Sequence, residues 1–235
     1  MDETLALADW RRRIAALYVD VRRLAERDPA EALDYWRAVR ERLFREHPQS
    51  PIPSIERAGF VARHFPHDPE LRFEVRVEPL NQGATRLAVP GGGIDYGGLA
   101  PSGGNTSSGG QAGAPVALAV SGGGSMAFTR FGAVTVPFPT GPRRLEIFWM
   151  GGYAGGLFLP FRDATNEAET YGAGRYLLDG AKGADLGGDP AAGTLILDFN
   201  FAFQPSCAWD PKYACPLSPP SNRLDVAIRA GERLP

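Results

Sequence analysis

No stretch of this chain approaches the ~18 consecutive apolar side chains that a membrane-spanning helix needs. Basic charge is not in excess either: 25 lysines and arginines meet 27 acids, a formal net charge of −2. Phosphate-backbone binding rests on a basic field, so neither nucleic acid nor membrane is an expected partner. Histidine and cysteine are scarce, three and two among 235 residues. The opening MDETLALADWRRR turns from acidic to basic without an apolar core, unlike a secretory signal, and a cytoplasmic location is the expectation. In that compartment Cys207 and Cys215 are expected as reduced, partly buried thiols, although they are near enough in sequence to close a small disulfide loop.

Several kinds of site lack their spacing. The Gly-rich GGGIDYGGLAPSGGNTSSGGQAGA between Pro90 and Pro115 contains no lysine, and SGGGS at Ser121–Ser125 has no phosphate-loop pattern around it, so phosphate cradling is not predicted. The longer segment cannot bury enough apolar area to offset its ordering entropy and reads as a flexible loop, with a lid as its functional alternative. His64 and His67 form an H-x-x-H pair interrupted by Pro66, while Cys207 and Cys215 are separated by seven residues. Zinc sites place paired cysteines two to four residues apart, so no metal is predicted. No G-x-S-x-G elbow occurs, and no cofactor is implied.

What is abundant is glycine (29) and proline (21), which favour turn-rich β structure. The first fifty residues are the exception. Trp10, Ile14, Leu17, Val21 and Leu24 recur at helical spacing, leaving Arg11, Arg12, Arg22 and Arg23 mostly on the solvated side. A second helix starts at DPAE, where Asp28 caps, Pro29 suits the first turn and Glu31 completes a capping box. Leu33, Trp36, Val39 and Leu43 form its stripe, and Pro48 ends it.

From LRFEVRVE onward the period is two: Leu71, Phe73, Val75 and Val77 alternate with charges. Further strands are expected at Thr85–Val89, Val116–Val120, Ala127–Val136, Arg144–Met150, Leu157–Arg162, Arg175–Leu178, Thr194–Phe203 and Leu224–Ile228. The predicted fold is α+β and mainly β: an N-terminal helical hairpin packed on an antiparallel β-sandwich or partly closed β-barrel. Its expected divisions are a hairpin over residues 1–47 and a β-rich domain over 48–235, with the Gly-rich flexible loop at 90–115.

Chemistry-bearing residues gather in the last third, around DFNFAFQPSCAWDPKYACP. A strand from Thr194 through Phe203 places Asp198 and Asn200 side by side on one face. TYGAGRYLLD supplies Arg175 after two glycines, CPLSPPSNRL delivers Asn222 and Arg223, and AGERLP carries Glu232.

FRDATNEAETYGAGRYLLD, LDFNFAFQPSCAWDPKYACPLSPPSNRL and AGE together resemble the signature blocks of domain-of-unknown-function family 1684, closely from Phe161 to Glu232. The resemblance implies a shared β-rich fold and a shared polar cluster, and supplies no reaction. The matching polar positions are Asp163, Thr165, Tyr171, Arg175, Asp198, Asn200, Cys207, Cys215, Asn222, Arg223 and Glu232. The chain departs from the pattern at Glu167, where glycine is usual, and at Phe203-Gln204, where Tyr-Asn is usual.

Two readings of the cluster follow. In the functional one, Arg175 is a fork for a small anionic or carboxylate-bearing ligand, with Tyr171, Asn200 and Asn222 binding and Asp198 or Glu232 as catalytic base. In the structural one, Arg175 pairs with Asp198 while the two asparagines tie turns to the backbone, giving a buried stabilising network or a protein-interaction domain without catalysis.

Overall fold

The computed structural model describes residues 2–79, 114–151 and 155–234. Helix α1 spans Glu3–Ala25 and α2 spans Pro29–Glu46. Asp28 accepts from the amides of Ala30 (2.9 Å) and Glu31 (3.1 Å), with Pro29 in the first turn, which satisfies donors that no helical carbonyl reaches. The Glu31 side chain turns to Arg27 (3.4 Å) instead of closing the expected capping box. Ile14, Leu17, Val21, Leu33, Trp36 and Leu43 are buried as the apolar stripes require, and the Trp36 indole donates to the Tyr18 hydroxyl at 3.2 Å. Among the described residues, no helix is long and apolar enough to cross a membrane.

Seven strands follow among the described residues: β1 Arg72–Pro79, β2 Ala114–Ala119, β3 Ser125–Phe138, β4 Gly141–Met150, β5 Gly156–Phe161, β6 Arg175–Asp179 and β7 Thr194–Asp198. They pair antiparallel in the order β6-β5-β4-β3-β1-β7. The 14-residue β3 serves two partners along one edge: Ser125–Arg130 pairs with β2, and Gly132–Val134 pairs with the end of β1. The sheet curls until Tyr176 of β6 exchanges two backbone hydrogen bonds with Phe203 just beyond β7, at 2.8 and 3.0 Å. The result is a half-barrel under a helical hairpin.

Strand alternation divides the core. Phe128, Phe148, Phe158 and Tyr176 join Ile14, Leu17, Trp36, Phe201 and Phe203 in one cluster beneath the hairpin. Their neighbours Ile147, Leu159 and Leu177 turn the other way and pack with Val134, Phe161, Leu197 and Phe199. The sheet therefore buries both faces.

Three expectations need correction or restriction. The strand expected through Phe203 ends at Asp198, and Phe199–Phe201 forms a 3-10 turn. The cause is Asp198 itself, whose carboxylate accepts from the Asn200 amide at 3.0 Å, the local side-chain bond with which aspartate competes against extended structure. Consequently Asp198 and Asn200 are not strand-face neighbours but the cap and centre of a turn. The segment Leu224–Ile228 is irregular, joined to β5 through the Arg223–Arg162 bridge; the Ile228 carbonyl is taken by the Arg175 guanidinium. Thr85–Val89 and most of the Gly-rich segment lie outside the described residues, and Ala114 and Pro115, expected at its end, begin β2.

Candidate functional site

Arg175 opens β6 directly after Gly174, whose φ of 102° is left-handed and where a Cβ would strike the Phe161 carbonyl. Its guanidinium is fully buried. Nη2 donates to Asp163 Oδ2 (2.7 Å) and to the Ile228 carbonyl (2.8 Å), while Nη1 donates to the carbonyls of Ala230 and Glu232, the latter at 3.1 Å. Burial lowers the Arg175 pKa, and the Asp163 carboxylate opposes that. Asp163 Oδ1 accepts in turn from the Thr165 amide (2.6 Å) and hydroxyl. The arginine fork thus straps the C-terminal segment to the sheet edge.

Asp198 sits opposite Arg72 in the β1–β7 register and accepts from its Nη1 at 3.1 Å. Its other oxygen accepts from the Asn200 amide and side chain, at 3.0 and 2.8 Å. Asn200 also exchanges two bonds of 2.8 Å with the Asp68 backbone. Asn222 stitches β4 to β5: its Oδ1 accepts from the Glu146 amide (2.8 Å), and its Nδ2 donates to the carbonyls of Glu146 (2.9 Å) and Pro160 (2.8 Å). Glu232 follows Gly231 (φ 78°), where a Cβ would strike the Ala202 carbonyl. It meets Arg40 of α2 at 2.6 and 3.4 Å and accepts from the Gln204 amide at 2.7 Å.

The pairing of Arg175 with Asp198 is therefore replaced by two separate pairs, Arg175–Asp163 and Arg72–Asp198. β7 stops at Asp198 facing β1, whereas Arg175 faces the C-terminal segment. Asp198, Asn200, Asn222, Arg175 and Glu232 are each 0–1% exposed. Each spends its polar atoms on protein partners, with Arg175 Nε the exception. Tyr171 is half-buried with its hydroxyl beside Cys207, and burial, then that thiol, pushes its pKa up to about 12. The structure brings Asp163, Arg175 and Glu232 together around the C-terminal segment; it does not bring Asp198, Asn200 or Asn222 to them.

A cavity of about 260 Å³ opens elsewhere, between the hairpin and the mouth of the half-barrel. Trp10, Ile14, Tyr18, Phe44, Phe203 and Tyr213 supply apolar wall, and Arg11, Arg40, Lys182, Gln49, Gln204, Ser206 and Cys215 supply polar groups. Among the described residues, three cations line it and no carboxylate does. Arg40 is balanced by Glu232 and Lys182 by Asp179 (3.1 Å), while Arg11 is solvent-exposed. The buried Oε1 of Gln204 has no partner among the described residues. None of the six residues singled out from the sequence lines this cavity. Arg40, which joins the hairpin to Glu232 under three aromatic rings (4.4–5.3 Å), was not legible in advance, because one arginine among many on a helix carries no sign of what covers it. The Phe203-Gln204 pair did carry a signal: both positions where it departs from the resembled pattern lie on the cavity wall.

A family model described as "Protein of unknown function (DUF1684)" matches residues 108–233. The chain is also similar to the solution NMR structure of an uncharacterized protein from Haloarcula marismortui, with 27% identity, 89% of this chain and 96% of that one covered, and a TM-score of 0.55. No curated protein matches.

Proposed function

The chain belongs to the DUF1684 family, which brings no reaction with it, and from the site geometry we propose that it binds a small, largely apolar molecule bearing a carboxylate or similar anion in the cavity beneath the hairpin. The observation that carries this reading is the wall: aromatic and aliphatic over most of its extent, with Arg11, Arg40 and Lys182 and, among the described residues, no acid. Ligand sites are concave, apolar and fixed by a few convergent polar groups; Arg40 and Lys182 are already paired, and Arg11, with no carboxylate partner among the described residues, is the cation left to meet an anion. The partner-free Gln204 Oε1 is an acceptor for a ligand hydroxyl or amide. The wider groove between the outer faces of the helices mixes Asp9, Asp20 and Glu46 with Arg13 and Arg42 and has no such bias.

The polar cluster takes the structural role. Arg175, Asp163, Asp198, Asn200, Asn222 and Glu232 act as ties holding the curled sheet, the 3-10 turn and the C-terminal segment in register, and we assign no catalysis to Asp198 or Glu232. Nucleic acid and membrane are not partners in this reading, and buried free Cys207 and Cys215 fit a cytoplasmic location.

Titration of the isotope-labelled chain with octanoate, followed by amide NMR, tests the proposal. Saturable shifts at Phe203, Gln204 and Tyr213–Cys215, with octanamide binding at least ~10-fold more weakly, are expected from a charge-assisted contact. Equal binding of the two, or no saturable shift, contradicts it.

A further inference from the structure

Both cysteines of the chain meet at one place. Cys207 lies in the 3-10 turn Ser206–Ala208, and its backbone amide donates to Cys215 Sγ at 3.3 Å. Cys215 is clamped from its other side by the turn between β2 and β3: its amide donates to Ser121 Oγ (3.0 Å), and its carbonyl accepts from the Ser121 amide (3.0 Å). Ser121 Oγ donates onward to the Tyr213 carbonyl at 3.0 Å. The two sulfurs are thus held together by separate segments of chain, with the Tyr171 hydroxyl alongside. Cys215 forms part of the cavity wall and Cys207 lies behind it, so a small molecule in the cavity approaches the pair from the Cys215 side.

We propose that Cys207 and Cys215 are a reactive dithiol: Cys207 is the nucleophile toward a hydroperoxide, and Cys215 resolves the product to an intramolecular disulfide. The neighbouring Cys215 side chain first, and the Ser121 and Tyr171 side chains after it, bring the Cys207 pKa down to about 6, against the opposing effect of burial. Cys215 is pushed the other way, first by that same contact and then by burial, so it keeps its proton as the donor. Thiolate character selects the attacking sulfur.

In the first step the Cys207 sulfur attacks the terminal peroxide oxygen. An S–O bond forms, the O–O bond breaks, and the leaving oxygen departs protonated as water or an alcohol. This leaves Cys207 as a sulfenic acid. The Cys215 sulfur then attacks Cys207, forming S–S and breaking S–O, and its own proton leaves with the hydroxyl as water. Two thiols are oxidised by two electrons and one hydroperoxide is reduced. Exchange with an external dithiol reverses the change. The inference does not depend on anion binding; it uses the cavity as an entrance.

The test uses the full chain, reduced, desalted, exposed to a small excess of hydrogen peroxide, and then denatured in N-ethylmaleimide. Intact mass should show a monomer that has lost two hydrogens and takes no maleimide, with both adducts regained after dithiothreitol. Cys215→Ser should halt at a Cys207 sulfenic acid captured by dimedone, while Cys207→Ser should react at least ~10-fold more slowly, as a protonated thiol does. A wild-type chain that still takes two maleimides, that loses its thiols through intermolecular dimers, or whose two serine variants react at equal rates would overturn the inference. The wild-type arm stands even if a variant fails to fold.

Discussion

Asp163 shows how a single side chain decides the reading of the cluster. It is the carboxylate that meets buried Arg175 at 2.7 Å, with both side chains fully inaccessible. Removing one partner of such a pair leaves the other uncompensated, at about 3–5 kcal/mol. Asp163→Asn should therefore destabilise by about that amount, and Arg175→Met combined with Asp163→Asn should cost much less than the sum of the two, as coupled neighbours do. Additive losses in denaturant unfolding would argue against the tie. His64 makes a second prediction. Its ring packs edge-on to Trp36 at 5.8 Å, and burial lowers its pKa from 6.5 to about 4, only partly offset by Glu232. The folded chain keeps it neutral while the unfolded chain protonates it below pH 6.5. Its contribution is therefore lost as pH falls from 6.5 to 4, at most about 3 kcal/mol, and is constant outside that window. Between pH 6.5 and 5, before most carboxylates titrate, His64→Leu should lose less stability than the native chain; equal losses would contradict the assignment. Residue types were legible in the sequence at this scale, since Arg175, Asp198, Asn200, Asn222 and Glu232 are all buried and engaged. Their partners were not, because Asp163 and Arg175 are brought together by the turn at Gly174 rather than by strand spacing.

The helical hairpin and most strands follow from hydrophobic period, and the structure places β1, β3, β4, β5 and β6 where alternation does. The period fails where a side chain competes with the backbone, as at Asp198, or where backbone groups are spoken for by a distant residue, as at Ile228 with Arg175. Sequence shows that a hairpin must lie on something, yet not what fastens it. The fastening is Arg40 of α2, about 8% exposed, which reaches Glu232 from beneath Phe44 and Phe203. Arg40→Met should cost about 3–5 kcal/mol, since Glu232 is then left buried without its cation. The loss should also be local in character, with faster hydrogen exchange in α2 than in β4. A change under about 1 kcal/mol, as for an exposed pair, would mean that apolar packing alone holds the hairpin.

For the whole molecule, the two polar features have opposite characters. The separate buried ties at Arg175, at Asp198 and at Asn222 are closed, their hydrogen bonds spent on holding a curled sheet shut without a full ring of strands. The cavity under the hairpin is open, cationic and apolar, and it exists because a half-barrel covered by two helices leaves its mouth unfilled. Beyond the Phe203-Gln204 departure, no linear pattern announced it: its wall combines Trp10, Arg40, Lys182 and Phe203 from four distant parts of the chain. The central claim is that a ligand enters there and not at the polar cluster. The most direct measurement is a crystal of the chain soaked with 8-bromooctanoate, with the bromine located by its anomalous signal. The account predicts the bromine among Trp10, Ile14 and Phe203, with the carboxylate toward Arg11 or Lys182; a bromine beside Arg175 or Asp198, with the cavity empty, would contradict it.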